Sequence, residues 1–196
     1  MQLDMTKGKP LSLMVKFIIP VVFGNVFQQL YNTADTIIVG RTVGLDALAA
    51  VGATGSVVFL IFGFAMGLTT GFSVMTAQRF GAGDEEGLKK SVSSAFFLSM
   101  IAAVLLMVIS LCFLDDLLRF MNTPDNIFEI SRQYLQILCS GMIFTILYNF
   151  LAGVMRAIGN SVVPLVLLII SSVTNICLDL LLILQFDMGV AGAALA

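Results

Sequence analysis

Long apolar stretches separated by short polar segments dominate the chain and define its predicted elements. A helix that crosses a lipid bilayer needs about 20 apolar residues. Five stretches reach that length, and they cover residues 11–39, 47–78, 91–114, 133–155 and 162–186. A short apolar run from residue 189 reads like the first turns of a sixth helix that is cut off. The pattern therefore predicts an all-α polytopic membrane helix bundle of five spans and a partial sixth, and we expect this piece alone to transport nothing.

The composition agrees with a protein surrounded by membrane lipid. Hydrophobic residues make up 59% of the 196 residues and charged residues 11%, against about 25% charged residues in a typical soluble domain. The net charge of −2 gives no reason to expect nucleic acid as a partner. Histidine is absent from the sequence, and the three cysteines lie far apart inside apolar runs. We therefore expect no metal centre, no disulfide framework and no cofactor.

Basic residues near the ends of the spans predict the orientation of the chain, because an excess of Lys and Arg marks the cytoplasmic side. One side has seven basic residues and the other has three. The seven are Lys7, Lys9, Lys16, Arg79, Lys89, Lys90 and Arg156, and the three are Arg41, Arg119 and Arg132. The N-terminus is therefore predicted to lie in the cytoplasm. The segment 115–132 is then an external connector, which we expect to be solvated and to contain a short helix.

Two carboxyl groups interrupt the predicted spans, Asp35 in the first and Asp179 in the fifth. Each follows the polar start of its helix, Lys16 or Asn160, by 19 residues. At about 1.5 Å per residue, both lie about 28 Å from the cytoplasmic end. An acid inside a membrane is costly and is usually functional. We therefore predict a site that exchanges H⁺ or Na⁺, against the alternative that each acid only forms hydrogen bonds to a neighbouring helix.

Polar neighbours on the same helix faces favour this interpretation. Asn175 precedes Asp179 by one helical turn, so the two side chains share a face. Gln28 and Asn32 form a stripe that ends at Asp35, and Tyr31 borders it. A polar stripe inside lipid has to face other helices or water. These residues are therefore predicted to line an internal cavity.

Two further motifs have structural explanations. Gly63, Gly67 and Gly71 form overlapping GxxxG steps in the second span, which we expect to pack tightly within the bundle rather than to form a homodimer. Residues 81–84 read GAGD, a pattern found in intramembrane aspartyl proteases. Asp84, however, lies at the predicted cytoplasmic end of a span and is followed by two glutamates, so we expect a turn.

Several motifs together resemble the multidrug and toxic compound extrusion (MATE) family. They are LYNTADTIIVG, ALAAVGAT, AQRFGAGD, RAIGNS, NICLDLLLI and GVAGAALA, in this order from residue 30 to residue 196. The Asn-x-x-x-Asp spacing at Asn175 resembles the branch named after DNA-damage-inducible protein F. The resemblance implies the N-terminal lobe of a twelve-helix transporter in the plasma membrane of a bacterium or archaeon. The missing C-terminal lobe of the same protein is then an expected partner.

The resemblance also implies an activity and site residues. The family exports organic cations and other small amphipathic compounds by antiport with H⁺ or Na⁺, and it has no enzymatic activity. A cation site is implied at Asp35, Asn175 and Asp179. Further cavity-lining positions are implied at Gln28 and Tyr134. Where related proteins have a cavity asparagine this chain has Ala152, and Asn149 lies one turn earlier.

Three alternatives remain open from the sequence. A flippase for lipid-linked oligosaccharide, from the related superfamily, would need several cations in its cavity, whereas these spans have no Lys or Arg between their ends apart from Lys16 near the start of the first. An intramembrane aspartyl protease would use Asp35 and Asp179 as acid and base. A non-transporting structural bundle would tolerate loss of either acid.

Overall fold

The computed structural model describes residues 10–196, and the regular elements in that range are all helical. They are α1 (Pro10–Thr42), α2 (Leu45–Gly81), α3 (Glu85–Cys112), α4 (Leu114–Phe120), α5 (Asp125–Ser140), α6 (Met142–Ala157), α7 (Val162–Leu180), a π-helical turn (Leu181–Gln185) and α8 (Gly189–Leu195). Four helical stretches are long and apolar enough to cross a membrane, and α5 with α6 makes a fifth. The predicted all-α membrane bundle is confirmed. Lys7 and Lys9, which contribute to the predicted orientation, lie outside the described residues.

The fourth span is broken, whereas the sequence predicted one continuous helix over 133–155. Helices α5 and α6 meet at Gly141 with a bend of 47°. Gly141 has φ −80° and ψ −4°, and the Phe144 N–H donates to the Gly141 carbonyl three residues back at 3.0 Å. Glycine is about 1 kcal/mol less favourable than alanine inside a helix. The break therefore occurs at a residue of low helix propensity, although Gly153 of α6 remains helical, so propensity alone does not set its position.

The predicted external connector is partly a packed element. Helix α4 buries Leu114 and Leu118, which pack against Val57 and Leu135. Only the opposite face of α4 is polar, and there Asp115 accepts a hydrogen bond from Arg132 at 2.8 Å. The connector thus closes one end of the bundle instead of being solvated along its whole length.

Helix α2 is at the centre of one group of helices, because it packs against α3, α5 and α6. A buried cluster of small and flexible side chains fills this group, namely Ala65, Ala103, Cys139, Met142 and Ile146. Helix α1 packs chiefly along α7. A Cβ atom added at Gly24 would lie 3.7 Å from Leu165 and Leu168 of α7. This second contact brings together the two helices that contain the predicted acids.

Among the described residues, no neighbouring helix approaches the glycine steps of α2, so the prediction that they pack tightly within this bundle is wrong. A Cβ atom added at Gly63, Gly67 or Gly71 would meet no atom within 4 Å in the described part of the chain. The close approach is made on the other face, where an added Cβ at Gly153 would lie 3.2 Å from the Ser73 Cβ. The spacing of the glycines correctly indicated a helix face without side chains. It did not indicate which helix, if any, packs against that face.

The GAGD segment forms the predicted turn between α2 and α3. Gly83 has φ +70°, a left-handed conformation that glycine adopts without strain. Asp84 is the N-cap of α3 and accepts a hydrogen bond from the Gly87 N–H at 2.8 Å. That bond, followed by the ion pair with Arg79, holds the pKa of Asp84 below its usual value. A capping role accounts for this carboxylate.

Candidate ion-binding site

The packing of α1 on α7 brings Asp35 and Asp179 into one region of the bundle. The two carboxyl groups are close enough for their charges to interact. Asp179 is completely buried, with 0% of its surface exposed, and Asp35 is partly buried. Two acids that are 144 residues apart in sequence therefore share one poorly solvated environment.

Four oxygen atoms in this region have no hydrogen-bond partner among the described residues. They are Asp35 Oδ1, Asn175 Oδ1 and both carboxyl oxygens of Asp179. A buried polar group left without a partner costs about 1–3 kcal/mol. All four are oxygens of carboxyl or carboxamide groups. A small cation could contact several of them at once, whereas a proton would bind one and allow a hydrogen bond to a second. The arrangement can therefore gain stability by taking up a positive charge.

The local structure of α7 positions two members of this group. Asn175 and Asp179 are one turn apart, so both side chains project from the same face. Directly after Asp179 the helix changes to the π-helical turn, in which the Phe186 N–H donates to the Leu181 carbonyl at 3.2 Å. Ile183 of this turn packs with Val39 and Val190 in a buried cluster. Apolar packing therefore fixes the segment that follows Asp179 against α1 and α8.

Two tyrosines lie beside the acids. Tyr134 of α5 is within electrostatic range of both Asp35 and Asp179, and its ring packs against the cluster around Val39. Tyr31 lies near Asp35 on α1, and Gln28 approaches it. A phenol can donate one hydrogen bond to a carboxylate and can accept another. Neither tyrosine donates to Asp179 or to Asp35 Oδ1 in this structure, so their effect on the two acids here is electrostatic.

The remaining predicted cavity residues are placed differently. Asn32 is exposed, and its backbone carbonyl accepts a hydrogen bond from Thr36 at 2.8 Å. Asn149 lies on α6, which packs mainly against α2 and α3. Its amide nitrogen donates to the Thr145 carbonyl at 2.9 Å, so one of its two N–H groups is bonded within its own helix. A cavity role for Asn32 and Asn149 stays a prediction.

One residue near the site was not singled out from the sequence. Tyr148 lies within electrostatic range of Tyr31, and its hydroxyl is 3.5 Å from the Pro164 carbonyl at the start of α7. In the sequence, Tyr148 is distinguished only as a phenol inside an apolar run. That feature does not indicate which helix the side chain faces.

The sequence of this chain is similar to those of known proteins over most of its length. A family model described as MatE matches residues 20–181. The probable multidrug resistance protein YoeA of Bacillus subtilis is 36% identical over 184 residues, which are 92% of this chain and 40% of that protein. DNA damage-inducible protein F of Escherichia coli is 28% identical over 181 residues, which are 91% of this chain and 39% of that protein. The chain thus spans about 40% of the length of these curated relatives.

Solved structures show the same fold. A MOP superfamily transporter from Pyrococcus furiosus superposes with a TM-score of 0.91 at 32% identity, over 97% of this chain and 42% of that one. A multidrug resistance MATE family transporter of the MOP superfamily, in an outward-facing conformation, also gives a TM-score of 0.91 at 32% identity, with the same coverage.

Proposed function

The chain belongs to the MatE family, and from that membership we propose that it is part of a secondary active multidrug efflux transporter. The proposed activity of the whole protein is export of organic cations or other amphipathic compounds in exchange for H⁺ or Na⁺. We place it in the plasma membrane of a bacterium or archaeon, with the N-terminus in the cytoplasm. In this proposal the chain is not an enzyme, and its acids bind the coupling ion.

The observation behind this proposal is the set of buried oxygens without partners at Asp35, Asn175 and Asp179. A ligand can shift a conformational equilibrium only through a difference in its affinity for the two states. An ion that satisfies these oxygens in one conformation provides such a difference. A proton needs a single carboxyl group, whereas Na⁺ would use several oxygens at once. The Asn175 carboxamide therefore matters more for Na⁺ than for H⁺.

The charge distribution supports a cationic or neutral cargo. Two acids lie inside the bundle, while Lys and Arg are found near the ends of α1, α2 and α6. A flippase for lipid-linked oligosaccharide would have to bind a pyrophosphate, which calls for basic side chains. Nothing in the described residues favours that alternative. The capping role of Asp84 accounts for the GAGD motif, and a protease that uses Asp35 and Asp179 is distinguished by the efflux test below.

The test is ion-driven efflux by the full-length protein in proteoliposomes at a fixed Na⁺ or pH gradient. We expect Asp35→Asn and Asp179→Asn each to abolish coupled efflux while the protein still folds. Asp84→Asn is the matched control, because it makes the same chemical change outside the site and asparagine also caps helices well. Unmutated rates in both Asp35→Asn and Asp179→Asn would refute the proposal.

A second substitution identifies the coupling ion. If Na⁺ drives efflux, Asn175→Ala should weaken coupling strongly, because one oxygen ligand is lost. If H⁺ drives efflux, the same substitution should leave much of the coupling in place. Efflux measured under each gradient separately distinguishes the two cases.

A further inference from the structure

A cavity of about 540 Å³ lies between the adjoining ends of α2 and α3, away from Asp35 and Asp179. Charged side chains line one part of it, namely Arg79, Asp84, Glu86 and Lys90. Apolar side chains line the other part, including Phe72 and Leu98. We refer to this space as the α2–α3 cavity. Its lining changes from polar to apolar along the helix axes.

The change from charged to apolar lining matches the change from headgroups to acyl chains across a membrane leaflet. The charged side chains are close to the turn between Gly81 and Glu85, where both helices end. Phe72 lies about 14 Å and Leu98 about 20 Å further along, at 1.5 Å per residue. The headgroup layer is about 5–8 Å thick on each side of a bilayer. The charged part therefore lies at headgroup depth and the apolar part at the depth of the acyl chains.

The charges in the cavity balance, and each cation is paired with one carboxylate. Arg79 pairs with Asp84 at 3.0 Å, and Lys90 pairs with Glu86 at 2.7 Å. The Lys90 and Glu86 side chains are 74% and 81% exposed, and exposed ion pairs contribute little to stability. Lys90 and Glu86 can therefore exchange each other for groups of a ligand, and Asp84 can exchange Arg79 at Oδ2 while its Oδ1 stays bonded to the Gly87 N–H. Two cations and two carboxylates suit a ligand that carries one phosphate and one ammonium group.

We propose that the α2–α3 cavity binds a phosphatidylethanolamine molecule of the surrounding membrane. Its phosphate is bound by Arg79 and Lys90, since guanidinium and ammonium groups form charge-assisted hydrogen bonds to phosphate. Its ammonium group donates to the carboxylates of Asp84 and Glu86. One acyl chain lies along the apolar wall.

The balance of charge selects this headgroup among common phospholipids. Phosphatidylglycerol has a net negative charge and no ammonium group, so it would leave Asp84 and Glu86 facing an anion. Phosphatidylcholine has the same net charge as phosphatidylethanolamine, but its quaternary nitrogen has no N–H to donate. Tighter binding of phosphatidylethanolamine than of phosphatidylcholine therefore tests the hydrogen bonds to the carboxylates. Tighter binding of phosphatidylethanolamine than of phosphatidylglycerol tests the charge balance.

The experiment is native mass spectrometry of the purified full-length protein, titrated with each of the three lipids. Two matched pairs of variants are available, because Lys90 and Glu86 line the cavity while Lys89 and Glu85 beside them do not. We expect Lys90→Gln and Glu86→Gln each to weaken binding of phosphatidylethanolamine about fivefold, which corresponds to about 1 kcal/mol per charge. Lys89→Gln and Glu85→Gln should bind it like the unmutated protein.

Three results would overturn the proposal. Equal or tighter binding of phosphatidylglycerol or phosphatidylcholine by the unmutated protein would refute the assigned headgroup, whatever the variants do. Equal losses in cavity and control variants would mean a general effect of surface charge. Absence of any bound lipid would mean that the rest of the full-length protein fills the cavity. Each of these results is independent of whether Asp35 and Asp179 couple efflux to an ion.

Discussion

Replacing Asp179 with asparagine should make the protein more stable while it abolishes coupled efflux. Asp179 is 0% exposed, and neither of its carboxyl oxygens has a hydrogen-bond partner among the described residues. Asparagine has nearly the same shape, carries no charge and adds an N–H₂ group. Asp35 Oδ1 and Asn175 Oδ1 lack partners in the same region, and we expect the new group to donate to one of them. The substitution thus reduces the number of unsatisfied buried groups.

The size of the effect follows from the number of groups that gain a partner. One unsatisfied buried group costs about 1–3 kcal/mol, and the substitution relieves at least one of them. We therefore expect the free energy of unfolding to rise by about 1–3 kcal/mol. Asp179→Leu removes the carboxyl group without adding a donor, and replacement of buried charge by an apolar side chain is often neutral or stabilising. This variant separates the cost of burial from the gain of a hydrogen bond.

Unfolding of the purified full-length protein by SDS, followed by circular dichroism, measures the change. Ser172→Ala is the control on the same helix, since its buried hydroxyl already donates to the Leu168 carbonyl at 2.8 Å. A loss of about 3 kcal/mol or more in Asp179→Asn would refute the reasoning. A loss of that size is typical of breaking a buried ion pair, so it would reveal a cationic partner for Asp179.

Three further predictions concern the ends and the packing of the helices. A cysteine at Asn122 should react with an impermeant thiol reagent added outside and a cysteine at Glu85 should not; the reverse result would invert the assigned orientation. Asp84→Ala should lower the stability to unfolding near neutral pH without slowing efflux, and equal stability of both proteins there would contradict a capping role. Because the pKa of Asp84 is lowered in the folded protein, its contribution is complete above the usual carboxyl pKa and is lost as the pH falls through the lowered value, so the two unfolding curves should converge in acid. Gly153→Leu should cost about 1–3 kcal/mol through overpacking, because an added Cβ already lies 3.2 Å from Ser73, and an unchanged unfolding midpoint would show that α2 and α6 can separate freely.

Hydropathy was sufficient to predict the long helices, because backbone groups in lipid have to bond within their own segment. It did not predict the break at Gly141, since the average over an apolar window hardly changes at one glycine. Hydropathy also classified 115–132 as a solvated connector. The acidic residues around Leu114 and Leu118 lower the average and so conceal the apolar helix face that these two leucines form. Local propensity and tertiary packing decide these two features, and neither appears in an average over many residues.

Much of the candidate site was accessible from the sequence because helix geometry is regular. A constant rise per residue placed Asp35 and Asp179 at similar depth, and the spacing of four placed Asn175 beside Asp179. Tyr134 came only from the family resemblance, because nothing in the pattern of α5 indicates that it approaches α1 and α7. Tyr148 was missed for the same reason. The neighbours of a side chain on other helices depend on helix rotation, which hydropathy in a membrane specifies poorly.

The π-helical turn after Asp179 has a consequence for insertions and deletions. A π turn bonds each N–H five residues back and so holds one residue more than an α turn. Removing one residue from Leu181–Gln185 would therefore convert the π turn into an α turn, and both Asp179 and the chain beyond could keep their places. Removing one residue from the regular part of α7 after Asn175 would instead rotate the chain beyond by about 100° and move it by about 1.5 Å, which would take Val190 out of its cluster with Val39. The π turn is thus the place where this helix can lose a residue with the least effect on the contact between α8 and α1.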